Sequence, residues 1–281
     1  MSSYRFCRTD DIGLLVDALN RCWAPYFPRE PPATPEAFKR SIRDLQVWCS
    51  SCMVAFDGST PIGVLIGAKR PSGTLIYKIA VHPDHVRQGH GRHMLTSLSS
   101  KLSILGPPRI VAELPDSFTA ARALFGACGY IQEAVLTDYV FEGEPKSSGE
   151  LAGGFMIPVT IDDLAANGLL GEADPQVCWQ RSIETLTARK DDIAGLAAAS
   201  EERIEAYLLY RNGGEIVALR SFVEDGGARL THLFSQLSAQ GMRTFRFPKV
   251  HPAELSEEFL ATLGFRAVGR HLLYGARAHS A

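Results

Sequence analysis

The chain has 281 residues, 46% of them hydrophobic and 21% charged, with a net charge of −2. That composition belongs to a globular protein with room for two ordinary domains, and no apolar run approaches the ~20 residues of a membrane-spanning helix. The near-neutral, interspersed charge gives no basis for general nucleic-acid binding, and the charged start of the chain lacks a signal peptide's apolar core, so the expected location is cytoplasmic.

In chain order, residues 4–8 read as a strand, and Ile12, Leu15, Val16 and Leu19 mark one face of a helix that starts at Asp10-Asp11 and ends near Trp23. Five prolines in residues 24–35 exclude regular structure there, yet this stretch carries Tyr26 and Phe27. Residues 35–45 read as a helix, and residues 53–56 and 61–68 as a hairpin around Asp57-Gly58-Ser59-Thr60. A strand over 74–82 then runs into Val86-Arg87-Gln88-Gly89-His90-Gly91-Arg92, which opens a helix over 91–105. After the break at Gly106-Pro107-Pro108 come a strand (109–113), a helix (117–128) and two further strands (130–141).

The strand–glycine turn–helix is the chemically informative segment. Such a turn presents unpaired backbone N–H groups at the positive end of a helix dipole, where anions bind. Gly89 and Gly91 allow close approach, and Arg87 and Arg92 add charge. The six cysteines, including Cys49 and Cys52, read as structural thiols. His82, His85, His90 and His93 lack the i, i+4 spacing of two ligands on one helix face, so no metal is expected.

A Gly/Ser-rich, charged segment, 144–157, reads as a linker between domains at 1–143 and 158–281. The second half repeats landmarks of the first. Leu124-Phe125-Gly126-Ala127-Cys128-Gly129-Tyr130 parallels Phe259-Leu260-Ala261-Thr262-Leu263-Gly264-Phe265, and the hairpin before Ile62 parallels the one before Ile216. The offsets, 216 − 62 = 154 and 264 − 129 = 135, differ by 19 residues, so the second copy is expected to lack the glycine-loop strand and its anion cradle.

The element order, the Val86–Gly91 loop and the helix ending in Gly-Tyr resemble the GNAT (GCN-related N-acetyltransferase) superfamily, and the repeat resembles a tandem GNAT protein with a degenerate second domain. The resemblance implies an α/β (α+β) fold of two domains, each a mixed, mostly antiparallel sheet flanked by helices. It implies an N-acetyltransferase that moves an acetyl group from acetyl-CoA to a small-molecule or peptide amine by direct attack. The family motif Q/R-x-x-G-x-G/A falls on residues 86–91, with Val86 at its first position. By position, Ile79, Ala80 and Val81 would hold the pantetheine arm, and Arg87, Gln88, Gly89, His90, Gly91 and Arg92 the pyrophosphate. Glu113 fits the general base, with an ordinary exposed carboxylate as the alternative, and His82 is a second candidate. The acid tyrosine of one subgroup is Phe125 here and the usual asparagine is Phe118, which leaves Tyr139 or Tyr77 to protonate the thiolate, or leaves a non-catalytic acyl-CoA sensor. Tyr26 and Phe27 sit where such proteins shape the acceptor pocket.

Overall fold

The computed structural model describes residues 2–143, 154–171 and 177–279. The chain forms two compact units, Met1–Ala134 with Leu272–Ala281, and Val135–His271.

The first unit runs β1 (Ser2–Phe6), α1 (Ile12–Cys22), α2 (Pro35–Leu45), β2 (Met53–Asp57), β3 (Thr60–Arg70), β4 (Gly73–Val81), α3 (His90–Leu105), β5 (Arg109–Pro115), α4 (Thr119–Ala127) and the start of β6 (Ile131–Glu142). The second holds the rest of β6, β7 (Phe155–Pro158), α5 (Ile161–Ala166), α6 (Ile183–Ala188), β8 (Ala194–Ala199), β9 (Ile204–Arg211), β10 (Glu215–Ser221), α7 (Ala228–Ala239), β11 (Thr244–Val250), α8 (Glu257–Thr262) and the start of β12 (Arg266–Arg277). Strand order is β1-β2-β3-β4-β5-β12 in the first unit and β6-β11-β10-β9-β8-β7 in the second. The pairs β1–β2, β2–β3, β3–β4, β6–β11, β9–β10, β8–β9 and β7–β8 are antiparallel, and β4–β5 and β10–β11 are parallel.

Two expectations are corrected. Residues 130–141 were expected as two strands, but β6 is one strand, because nothing between Ile131 and Glu142 is a glycine, proline or asparagine that would turn the chain. The second half also lacks no strand. Its order β7-α5-α6-β8-β9-β10-α7-β11-α8-β12 reproduces β1-α1-α2-β2-β3-β4-α3-β5-α4-β6 element for element. The hairpin at Gly213-Gly214 thus corresponds to the β3–β4 turn, not the β2–β3 turn. With that correspondence the offsets are 215 − 73 = 142 and 264 − 129 = 135, so seven residues are missing rather than 19, with β10, α7 and α8 each shorter than its counterpart.

The helix-end repeat is present in the backbone. Gly129 and Gly264 have φ of 80° and 91°. Tyr130 N–H donates to Phe125 O and Phe265 N–H to Leu260 O, the long hydrogen bond that closes a helix on a left-handed glycine.

The compact units also depart from the contiguous segments 1–143 and 158–281, since residues 135–143 fold with the second unit and residues 272–281 with the first. Of the expected linker, residues 144–153 lie outside the described residues, and Phe155–Pro158 is strand β7. The chain end completes the first unit. Ala278 N–H donates to Pro108 O, His279 N–H donates to Ser99 Oγ at 3.1 Å, and the Tyr274 ring packs 6.2 Å from that of Phe125.

The first unit's core forms where α1 buries Leu15, Leu19 and Cys22 and α3 buries Met94, Leu95, Leu98 and Leu102. Each such side chain is worth about 1.5–3 kcal/mol. Tyr274→Ala removes a buried ring from this core and is expected to cost about 3 kcal/mol in urea unfolding; a cost below about 1 kcal/mol would detach residues 272–277 from that core.

Candidate active site

The site begins with an irregularity in β4. Lys78 faces Ile66 and Ile76 faces the next residue, Gly67, so Tyr77 is an extra residue without an opposite number, a β-bulge. Parallel pairing with β5 runs from Thr74↔Ile110 to Ile76↔Ala112 and ends at the same point. His82 N–H donates to Ile62 O of β3, so by strand alternation the backbone groups of Val81 and Ile79 point the other way, into the gap. The Tyr26 hydroxyl reaches this edge and donates to Val81 O at 2.7 Å.

The gap opens into a cavity of about 580 Å³, all of whose lining belongs to the first unit. Of the residues expected to bind the cofactor, Ile79, Ala80, Val81, Arg87, Gly89, His90, Gly91 and Arg92 line it, whereas Gln88 is exposed and lies outside the lining. Glu113, Tyr77, Tyr26 and Phe27 line it too.

The turn between β4 and α3 has Arg87 at φ 64° and Gly89, the residue before the helix, at φ 88°. The first intrahelical bond is His93 N–H to Gly89 O, and no side chain caps the helix start. The N–H groups of residues 90–92 therefore precede the hydrogen-bonded ladder at the positive end of a sixteen-residue helix. Gly91 packs closely against α4: a Cβ there would meet Leu124 Cδ2 at 2.9 Å. His90 is buried, shares a 2.7 Å hydrogen bond between Nδ1 and the Tyr4 hydroxyl, and has no partner at Nε2 among the described residues. Burial, reinforced by His85 and His93, holds its pKa below the usual histidine range, so it is neutral at pH 7.

The other end of the cavity is aromatic. Trp23 and Phe27 stack with ring centroids 4.1 Å apart, and Phe27 meets Phe118 at 5.2 Å and a 60° tilt. Lys78 Nζ lies 4.3 Å from the Trp23 ring centre and 3.0 Å from Glu30, whose same oxygen accepts from Trp23 Nε1 at 3.0 Å. Sequence reasoning missed Lys78; its signal was a charged residue inside an apolar strand.

Tyr139 is corrected. It is buried in the second unit's core, opposite Phe247 of β11, and faces no part of the cavity lining. Phe125 is fully buried against Tyr130 and outside the lining, which α4 contributes through Leu124 and four alanines.

The second unit keeps the same turn but fills it. Six residues separate Ser221 from Ala228, against eight between Val81 and His90, and Gly227 precedes α7 at φ 85°. Here the Asp225 carboxylate accepts from the N–H groups of Gly227 and Arg229 at 2.9 and 3.0 Å and pairs with the Arg229 guanidinium. The pairing of β10 with β11 is limited to Glu215↔Arg246. Beyond it, the buried Arg181 guanidinium donates to the carbonyls of Pro248 and Lys249 and pairs with both oxygens of Glu254.

An uncapped helix start thus lies beside a bulged strand that parts from its parallel neighbour. Residues 14–130, which make up most of the first unit, match the Acetyltransferase (GNAT) family. No curated protein matches the chain. Among solved structures, a tandem GNAT protein from the clavulanic acid biosynthesis pathway is 15% identical, with all of both chains covered and a TM-score of 0.67. A GCN5-related N-acetyltransferase from Sphaerobacter thermophilus is 14% identical, with 99% of this chain and 96% of that one covered and a TM-score of 0.69. The chain as a whole has the tandem GNAT fold.

Burial raises the Asp225 pKa, but the hydrogen bonds from Arg229 and Gly227 outweigh it and hold the carboxyl below the usual aspartate range. A lowered folded pKa contributes stability above the unfolded value of about 3.9 that is lost as pH falls through the folded value. Asp225→Asn is therefore expected to lower urea stability by about 1 kcal/mol at pH 7 and to narrow the difference from wild type as pH drops below 4; a constant difference would show that the charge is not what stabilises the turn.

Proposed function

We propose that the chain transfers an acetyl group from acetyl-CoA to the amine of a small-molecule or peptide acceptor, by direct attack, at the cavity of the first unit. One observation carries this reading: a single cavity joins the uncapped start of α3, the parted edge of β4 and the carboxylate of Glu113. The amides of residues 89–92 hold the pyrophosphate, with Arg87 and Arg92 adding charge. Ile79 and Val81 hydrogen-bond the pantetheine arm as a strand would, and the Val81 amide polarises the thioester carbonyl. Acetyl-CoA supplies the activated acyl group.

Glu113 takes the proton from the attacking amine. Tyr77, the bulge residue in the lining, replaces Tyr139 as the phenol assigned to the departing thiolate. Asp225 and Arg181 occupy the corresponding places in the second unit, which supports a stoichiometry of one acetyl-CoA per chain. A second reading, a non-catalytic acyl-CoA sensor, is favoured by Phe118 and Phe125 standing where relatives carry polar groups.

Gly89→Val places a branched side chain at φ 88° and is expected to weaken coenzyme A binding at least tenfold, about 1.4 kcal/mol, in calorimetry. Unchanged affinity would remove the turn from the site. Glu113→Gln is expected to lower kcat at pH 7 roughly a hundredfold in a thiol-release assay while leaving coenzyme A affinity alone. An unaffected rate excludes Glu113 as base, and coenzyme A binding without turnover on any amine selects the sensor.

A further inference from the structure

We propose that the acceptor is an arylalkylamine, a single primary amine carried on a flat aromatic body. The proposal rests on the acetyl-transfer reading and narrows its acceptor.

The shape of the aromatic end comes first. The Trp23–Phe27 stack, interplanar angle 12°, meets Phe118 at a tilt and forms a corner of two aromatic surfaces. An incoming ring satisfies such a corner by stacking on one wall and meeting the other edge-on, the two arrangements that aromatic quadrupoles favour. The corner is also held firm. Glu30 accepts from both Trp23 Nε1 and Lys78 Nζ through one oxygen, and the Lys78 ammonium lies against the Trp23 ring, so the wall is in place before any acceptor arrives.

Charge then selects among amines. Glu113 is the one carboxylate among the described lining residues, whereas Lys78, Arg87 and Arg92 are cations. One ammonium group finds one counter-charge, and the second and third ammonium groups of a polyamine find no further carboxylate in the described lining. An amino acid fares no better at this end. Its carboxylate needs a cation, and Lys78 is already held by Glu30 at 3.0 Å and by the Trp23 face. What remains is an amine whose body is apolar, flat and uncharged. Glu113 attracts its ammonium and takes one proton, which frees the lone pair; as the C–N bond forms and the C–S bond breaks, the nitrogen's second proton passes to the departing thiolate, giving the amide and coenzyme A.

The test is calorimetric titration of 2-phenylethylamine, n-butylamine, spermidine and L-phenylalanine into the full chain saturated with coenzyme A, a readout that needs no turnover. 2-Phenylethylamine is expected to bind tightest, by roughly tenfold over n-butylamine. Phe118→Ala, at a partly exposed position, is expected to erase most of that margin without altering coenzyme A affinity, and Phe118→Tyr to retain it. Tighter binding of spermidine or L-phenylalanine, or indifference of 2-phenylethylamine to Phe118→Ala, overturns the acceptor class while leaving the donor reading intact. Failure of wild-type chain to bind coenzyme A overturns the donor reading and this proposal together.

Discussion

The parting of β4 from β5 after Ile76↔Ala112 is the constraint on which the rest of the site depends. Two parallel strands that stayed paired would bury their backbone groups in each other and leave no room for a ligand. The extra residue at Tyr77 changes the twist of β4, and from there the strand keeps β3 on one side while its other edge faces a cavity. A backbone group buried without a partner costs about 1–3 kcal/mol. The Tyr26 hydroxyl donates to Val81 O, which ties the proline-rich connection after α1 to the same strand edge. Two ends of one cavity, the glycine turn before α3 and the aromatic corner, are thus set by a single strand.

The two halves of the chain show how one topology is put to different uses. Both make a strand, a glycine turn at positive φ and a helix, and in both the parallel pair is short. In the first unit the helix start carries no side-chain cap. In the second, Asp225 supplies an anion from within the chain, and Arg181 takes up carbonyls of β11. A buried arginine needs full pairing, and the bidentate contact with Glu254 gives it. The second unit therefore satisfies internally the helix-start amides that the first presents to its cavity, and its Arg181 bonds the carbonyls of β11, the strand that corresponds to β5.

Much of this was legible in the sequence. Periodicity marked nearly all elements of the first unit, because amphipathic faces such as Leu15, Val16 and Leu19 reflect burial directly. Gly129 and Gly264, each closing a helix before an aromatic strand residue, adopt positive φ, which few other residues do without strain. The helix-end repeat was legible for the same reason. The offset of 19 residues was legible too, but its meaning was not. Hairpin turns look alike in sequence, and only strand pairing identifies Gly213-Gly214 as the partner of the β3–β4 turn.

What the sequence alone determined was local: helices, turns, the glycine-marked turn before α3 and the family likeness those motifs carry. Tertiary structure decided which distant residues share a space. It placed Glu113, Lys78, Trp23 and Phe118 around one cavity and withdrew Tyr139 into another core. It also brought residues 272–277 back to the first unit. The physical reason is that a side chain's neighbours across a sheet follow from strand order and register, which arise from the whole chain's packing and leave no mark at any one position.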